Sequence, residues 1–427
     1  MKKGEFMNHY EGVINLIEEG NIEKATQVFE QVLKEADPDD IYSLAEELYM
    51  LGFSDFAKKA YKSLLVKFPD EDILRVQLAD LAVSDGHDDE ALEYLSAVKP
   101  DSDAYVNSLL VAADLYQTQG LLEVSENKLL EALKIAPNEE AVIFGLAEFY
   151  FNTKKFGKAI ELYLTLVKLG FTQLAGVSMV QRLGQAYAEV GKFEQALGYF
   201  EQLEDEQISP DTRFQIAFTQ LQVKNYEDAI ENFKKLKKDN KDYTTLYPFL
   251  ATAYEQMGFL QDALETLQEG LRVDQYNIKL YEKASSISLK LQQPEEAQEY
   301  LEKALELEPD SLTLVIELSN LLVSRQKYQE TIDFLSSFVQ NDEIDPQIYW
   351  NLGKSYGALD NDELALKYYQ AASRVYDDNP TFLREFAILN RRVGNLEEAR
   401  QNVALYLKLV PDDLEMQNFE DELLEDF

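Results

Sequence analysis

VQRLGQAYAEVGKFEQALGYFEQL, from Val180 to Leu203, contains the pattern that decides the fold of this chain. Two segments with helical periodicity flank Gly191, and each carries a small residue, Gly184 in the first and Ala196 in the second. Two helices can approach to about 8–10 Å where the residues at their crossing are small. A large apolar residue one turn later, Phe200, fills the space beside the crossing. The stretch therefore predicts a helical hairpin.

This pattern recurs twelve times, mostly at steps of 34 residues. The position of Ala196 is always small: Ala25, Ala57, Ala91, Ser125, Ala159, Ala196, Ala229, Ala263, Ala297, Thr331, Ala365 and Ala399. The position of Gly184 is small in every copy but the first: Val13, Ala45, Ala79, Ala113, Ala147, Gly184, Ala217, Ala251, Ser285, Ser319, Gly353 and Ala387. The position of Phe200 is large and apolar: Phe29, Tyr61, Leu95, Leu129, Tyr163, Phe200, Phe233, Leu267, Leu301, Leu335, Tyr369 and Val403. No segment alternates with a period of two, so we expect stacked hairpins and no sheet.

The turn between the two helices lies five residues before the second small position. Seven copies have glycine there, which closes a helix readily in a left-handed conformation: Gly20, Gly52, Gly86, Gly120, Gly191, Gly258 and Gly394. The other five copies have Lys154, Lys224, Gln292, Gln326 and Asp360.

These residues resemble the tetratricopeptide repeat, a 34-residue helix-turn-helix unit. The clearest matches are the stretch from Val180 and YWNLGKSYGALDNDELALKYYQAA from Tyr349. The resemblance covers about residues 6–413. It implies an all-α, right-handed superhelical solenoid of about twelve repeats, in which the first helices line a concave groove that holds a peptide. It implies no particular activity, because repeats of this family serve many partners.

One step is 37 residues long, around KLGFTQLAGVS from Lys168 to Ser178. Three extra residues are expected to perturb the stacking of neighbouring repeats, and we interpret this segment as a hinge or boundary. A rigid, lengthened loop is the alternative. The predicted organisation is residues 6–170 for repeats one to five, 171–413 for repeats six to twelve, and 414–427 for an acidic capping helix.

The tail after Pro411 predicts that last helix. Asp412 and Glu415 are spaced as a capping box, and the apolar residues that follow have helical spacing: Met416, Phe419, Leu423 and Phe427. An acidic interaction tail is the alternative.

The composition limits the classes of function. The formal net charge of −39 disfavours nucleic acid and anionic membrane surfaces, and it favours basic partners; high solubility is the other interpretation. There is no cysteine, and the two histidines, His9 and His87, lie near no recognisable motif. No signal peptide, membrane span, phosphate-binding loop or hydrolase motif is present, so we predict a cytoplasmic protein that is not an enzyme and has no catalytic, cofactor or metal site.

Repeat positions are numbered here so that the turn residue is position 15. A basic clamp known in the family needs lysine at position 5 and asparagine at position 9, and no repeat has this pair. Position 9 instead carries one acidic residue in each of four consecutive repeats: Glu46, Asp80, Asp114 and Glu148. Aromatic residues flank this ladder at positions 5 and 12: Tyr42, Tyr49, Phe144 and Phe151. Acid with aromatic groups suits lysine or arginine of a partner; a solvated face is the alternative.

In the later repeats position 9 is mixed. Phe214 and Phe218, together with Phe249, and later Trp350 are candidates for apolar pockets on a partner-binding surface. Packing between repeats is the alternative for each of them. The preferred function is a scaffold or adaptor that binds proteins or peptides, at least one with a basic segment. A peptide-sensing regulator is the first alternative, and an enzyme with an unrecognised site is the second.

Overall fold

The computed structural model describes residues 12–340 and 345–425. The predicted start of the first repeat at residue 6, His9 and Phe427 lie outside these ranges. The chain divides into two compact units, of which the first ends at Glu206 and the second begins at Gln207.

In the first unit each repeat is a pair of helices that pack against each other and against the following pair. The helices are α1 (described over 12–18), α2 (Ile22–Glu35), α3 (Pro38–Met50), α4 (Ser54–Lys67), α5 (Asp72–Ser84), α6 (Asp88–Ser96), α7 (Tyr105–Thr118), α8 (Leu122–Ile135), α9 (Glu140–Asn152), α10 (Phe156–Lys168), α11 (Met179–Glu189) and α12 (Phe193–Phe200). They form six hairpins, with a 3-10 turn at Asp205–Gln207 where the unit ends.

The second unit has the same construction, followed by one more helix. Its helices are α13 (Pro210–Gln222), α14 (Tyr226–Asp239), α15 (Leu246–Gln256), α16 (Leu260–Val273), α17 (Ile278–Lys290), α18 (Pro294–Leu307), α19 (Leu312–Ser324), α20 (Tyr328–Leu335), α21 (Pro346–Ala358), α22 (Asp362–Ala372), α23 (Pro380–Arg392), α24 (Leu396–Leu409) and α25 (Leu414–Glu425), with a 3-10 turn at Phe338–Gln340. These helices confirm the predicted all-α solenoid of twelve helix-turn-helix repeats with a C-terminal capping helix.

The small and large positions meet inside each hairpin as predicted. The second-helix small residue has no exposed surface in any of the twelve repeats, from Ala25 to Ala399. At Gly184 an added Cβ would lie 2.6 Å from the ring of Phe200, and at Gly353 it would lie 2.7 Å from the ring of Tyr369. A methyl group does not fit at these crossings, so glycine lets a bulky aromatic residue cover the first helix.

The turn residue has a left-handed backbone in all twelve repeats. Its φ is +82° at Gly52, and the five residues that are not glycine have φ between +58° and +64°. This conformation lets the chain reverse after the first helix, and the amide of the next residue donates to a first-helix carbonyl, as Phe53 does to Leu48 at 2.8 Å.

The long step between repeats five and six forms a small hairpin rather than helix. Strands β1 (Gln173–Leu174) and β2 (Val177–Ser178) are antiparallel, so the expectation of no sheet is wrong at this place. Ala175 and Gly176 both have positive φ, which suits a two-residue turn. Phe171, Leu174 and Val177 pack against the core formed by α9, α10 and α11. The predicted boundary at residues 170/171 stays a prediction.

The helix α25 covers the end of the last hairpin. Met416 and Leu423 are buried against a cluster that includes Leu383 and Val403. The capping residue is Asp413, whose side chain accepts from the backbone amides of Glu415 and Met416 at 3.0 and 3.2 Å. The predicted cap at Asp412 is therefore one residue too early.

Candidate protein-binding face

The four predicted ladder residues lie on the first helices of repeats two to five, and we call them the acidic face. Glu46 on α3 and Asp114 on α7 are exposed, whereas Asp80 on α5 and Glu148 on α9 are half-buried. Within the described parts of the chain, no lysine or arginine pairs with Glu46, Asp80 or Asp114. Three carboxylates one repeat apart are therefore open to an outside cation.

The environment of two of these carboxylates disfavours their charge. Loss of surrounding water raises the pKa of Asp114 to about 6, and the negative charge of Asp80 adds to the rise. Burial also raises the pKa of Asp80, and a hydrogen bond from Tyr49, which lowers this pKa, offsets only part of the rise. Asp114 is nevertheless exposed by its accessible area. Protein atoms around it displace water while solvent still reaches the group, so a cationic partner could relieve the unfavourable charge.

Glu148 differs from the other three, because its carboxylate is already occupied by groups of the same chain. Arg182 on α11 donates to it from Nε at 3.0 Å and from Nη2 at 2.8 Å, and the Tyr163 hydroxyl donates at 2.5 Å. The guanidinium also lies 4.4 Å from the centre of the Phe151 ring. Phe151 and Glu148 thus bind Arg182 of the same chain, whereas the sequence predicts a lysine or arginine of a partner for this pairing.

A second arrangement of this kind lies in repeats eleven and twelve. Glu385 on α23 accepts from the Tyr369 hydroxyl at 3.0 Å and from the Trp350 indole at 2.8 Å, and it forms an ion pair with Lys354 at 2.9 Å. The Lys354 ammonium lies 5.5 Å from the Trp350 ring. A tyrosine hydroxyl, a carboxylate, a cation and an aromatic ring are again combined.

The predicted apolar contacts are mostly internal. Trp350 is only 8 % exposed and packs on Tyr376 and Phe382, which agrees with the packing alternative. Phe144 packs against the core of repeat five. Phe214 and Phe218 are half-buried and contact Phe249, with ring centroids 5.5 and 5.3 Å from it.

Tyr42 and Tyr49 lie beside the acidic face, each held by a residue of the next repeat. The Tyr42 hydroxyl accepts from the Gln77 amide at 3.2 Å, and the Tyr49 hydroxyl is 2.9 Å from the Ser84 hydroxyl. Sequence reasoning missed Arg182, Glu385 and Tyr61. For Arg182 and Glu385 a signal was available, because each stands at position 6, one repeat after a residue of opposite charge at position 9, Glu148 and Lys354.

No helix in the described ranges is long and apolar enough to cross a membrane. No group of three histidine, cysteine, aspartate or glutamate side chains in residues 12–340 and 345–425 could hold a metal ion.

Comparison with known proteins gives the family. The chain is 33 % identical to the TPR repeat-containing protein YpiA of Bacillus subtilis (strain 168) over 413 residues, which is 96 % of each chain. The chain belongs to the YpiA-like tetratricopeptide-repeat family. Family models for YpiA-like tetratricopeptide repeats match residues 117–171, and models for the YpiA-like C-terminal repeats match 346–413. General tetratricopeptide-repeat models match 180–207 and 278–311.

Among solved structures, this tetratricopeptide-repeat chain is similar to YrrB, described as a TPR protein with an unusual peptide-binding site. The identity is 19 %, over 44 % of this chain and 97 % of that one, with a TM-score of 0.38. It is also similar to the Cut9-Hcn1 hetero-tetramer of the APC/C, at 14 % identity over 96 % of this chain and 95 % of that one, with a TM-score of 0.38. Family membership supports a general role as a protein-interaction scaffold.

Proposed function

We propose that this protein is a non-enzymatic cytoplasmic scaffold whose acidic face binds a basic segment of a partner protein. The observation that carries the proposal is the set of three carboxylates, Glu46, Asp80 and Asp114, at one position of three successive first helices without a basic partner in the described chain. The negative charge of Asp80 disfavours that of Asp114, and a bound cation would relieve this repulsion. A flexible basic segment supplies several cations at that spacing.

Two supporting features concern selectivity. The net charge of −39 steers basic partners toward the protein and repels phosphate backbones. Tyr42 and Tyr49 place aromatic rings beside the carboxylates, where they can contact a lysine or arginine through cation–π interactions.

The test compares two double variants that change the net charge equally. Glu46→Lys with Asp114→Lys reverses the acidic face, whereas Glu30→Lys with Glu161→Lys reverses two exposed residues on the second helices α2 and α10 of the same unit. We expect the first double variant to bind a lysine- and arginine-rich peptide at least about tenfold more weakly than the wild type at low salt. The second double variant should lose much less affinity for the same peptide.

The same variants serve in affinity capture from extract of the source organism. Proteins bound by the wild type and the α2/α10 variant, but lost from the acidic-face variant, are the expected partners. Circular dichroism checks that all three proteins are equally helical. If both double variants bind the cationic peptide and capture the same proteins as the wild type, the acidic face is only a solvated surface.

A further inference from the structure

Tyrosine occupies the large second-helix position in three repeats, as Tyr61, Tyr163 and Tyr369. In two of them the hydroxyl donates to a carboxylate that also binds a cation. The Tyr163 hydroxyl donates to Glu148, which binds Arg182 of the next repeat. The Tyr369 hydroxyl donates to Glu385 of the next repeat, which binds Lys354. The combination repeats although the charges at positions 6 and 9 are exchanged. A carboxylate held between a phenol and a cation is therefore a recurrent feature of these hairpins.

Repeat two reproduces the surroundings of Arg182 without the arginine. Glu46 corresponds to Glu148 at position 9, and Tyr49 corresponds to Phe151, on whose ring the Arg182 guanidinium lies. Tyr61 corresponds to Tyr163. The position of Arg182 itself is held by the neutral Gln77, whose side chain is directed to the Tyr42 hydroxyl at 3.2 Å.

The Tyr61 hydroxyl is the second observation that indicates a ligand. Tyr61 has no exposed surface, and its hydroxyl has no hydrogen-bond partner among the described residues. The Tyr61 ring contacts that of Tyr42, with centroids 5.6 Å apart. Burial raises the pKa of the Tyr61 phenol, and the carboxylates of Glu46 and Asp80 add to the rise. A buried donor without an acceptor is unfavourable, because it has lost its hydrogen bonds to water. Glu46 could accept this hydrogen bond as Glu148 does, once a cation draws its carboxylate inward.

We propose that Glu46, Tyr49, Tyr61 and Asp80 form an arginine seat, which binds the guanidinium of one arginine of a partner polypeptide. The guanidinium would take the place that Arg182 has in repeat six: paired with the carboxylate of Glu46, stacked on the ring of Tyr49, and next to Asp80 as a second anion. Arginine suits this seat better than lysine, because a planar guanidinium pairs bidentately and stacks on rings. The inference rests on the proposed function and names one residue of its partner.

The experiment uses the full chain and three short peptides: acetyl-Gly-Gly-Arg-Gly-Gly-amide, and the same peptide with lysine or citrulline at the centre. Citrulline keeps the shape of arginine and removes its charge. Binding is followed by NMR of the protein with carbon-13-labelled tyrosine rings, which report Tyr49 and Tyr61 directly. We expect the arginine peptide to bind at least about tenfold more tightly than the citrulline peptide, and measurably more tightly than the lysine peptide.

Gln77→Arg is the decisive variant, because it supplies the missing guanidinium from the chain itself. We expect it to lower the affinity for the arginine peptide at least about tenfold and to raise the thermal midpoint. Gln77→Met is the matched control, since it fills similar space without a charge and should leave the affinity within about twofold. Glu46→Gln, at an exposed position, should lower the affinity for the arginine peptide without affecting folding.

Each outcome separates this inference from the proposed function. If Gln77→Arg binds the arginine peptide as the wild type does, or if lysine and arginine peptides bind equally, there is no arginine seat. If, in addition, the lysine- and arginine-rich peptide still loses affinity for the Glu46→Lys, Asp114→Lys variant, the acidic face binds basic segments by charge alone and the proposed function survives. Loss of the tyrosine shifts in Gln77→Arg and Glu46→Gln, but not in Gln77→Met, supports the seat.

Discussion

At the scale of residues, the state of each acidic side chain depends on what the next repeat places beside it. Glu148 receives Arg182 and the Tyr163 hydroxyl, so its charge is neutralised by a well-defined cation. Asp114 receives only the amide of Gln117 at 3.2 Å and has the charge of Asp80 nearby. Two carboxylates at the same repeat position therefore differ in their surroundings: Glu148 is part of the packing between repeats, and Asp114 has no ion pair in the described chain.

Asp114 should make the stability of the protein depend on pH. Its pKa is raised from 3.8 to about 6, so the folded protein holds the proton more tightly than the unfolded chain does. This contribution is favourable at low pH and is lost as the pH rises from about 4 through about 6. Asp114→Asn should therefore be close to neutral below about pH 4 and stabilising near pH 7.5, by about 1 kcal/mol because solvent screens an exposed group.

The measurement is urea unfolding of the wild type and the variant across this pH range. Asp333→Asn, which removes one exposed carboxylate from α20, is the control and should show no such pH-dependent gain. An equal effect of Asp114→Asn at both ends of the range would mean that the charge of Asp114 is not unfavourable.

At the scale of elements, the helical hairpin requires a left-handed turn whether or not glycine is present. Gln292 has φ of +60° between α17 and α18, and Lys154 has φ of +59° between α9 and α10. This backbone costs a residue with a Cβ about 1–2 kcal/mol. Five of the twelve hairpins therefore keep their turn because helix packing on both sides outweighs the local cost.

Replacing Gln292 with glycine should stabilise its hairpin. The gain from relieving the turn is partly offset by the greater freedom of glycine in the unfolded chain, so we expect about 0.5–1 kcal/mol in the free energy of unfolding. Gln292→Ala is the matched control: it removes the same side chain but keeps the Cβ, and it should bring no gain. Urea unfolding followed by circular dichroism measures both. Equal stability of the glycine and alanine variants would contradict strain at this turn.

At the scale of the whole molecule, twelve hairpins of one type are grouped into two units. The first unit ends at Glu206, six residues after the short helix α12 (Phe193–Phe200), and most of residues 201–206 are exposed. The insertion at 168–178 lies within the first unit, and its side chains Phe171, Leu174 and Val177 pack against the core, although Leu169 is exposed. The two places thus differ in how strongly the chain is held.

Limited proteolysis should distinguish them. We expect the first cleavage by a glutamate-specific protease after Glu204 or Glu206, because this segment is exposed and lies outside α-helices. Trypsin should be slow at Lys168, because the hairpin that follows α10 packs on the core. Mass spectrometry of the early fragments identifies the sites. Tryptic cleavage after Lys168 as fast as the cleavage after Glu204 or Glu206 would instead support the boundary predicted at 170/171.

The sequence by itself determined the repeat, because the small crossing positions, the large residue beside them and the turn are local requirements that recur at one spacing. From these alone the helical hairpins, their number and the end helix could be predicted, with the cap misplaced only from Asp413 to Asp412. The insertion was located correctly, but its two short strands were not predicted, since four residues are too few to show an alternating pattern.

Only the tertiary structure decided which charges meet. Glu148 and Arg182 are 34 residues apart, and whether they touch depends on how α9 and α11 pack and on the reach of two long side chains. The same holds for Tyr61, which looks like any large core residue in the sequence. Its buried hydroxyl without a partner becomes visible only when neighbouring repeats are stacked, because hydrogen-bond satisfaction is a property of the packed chain.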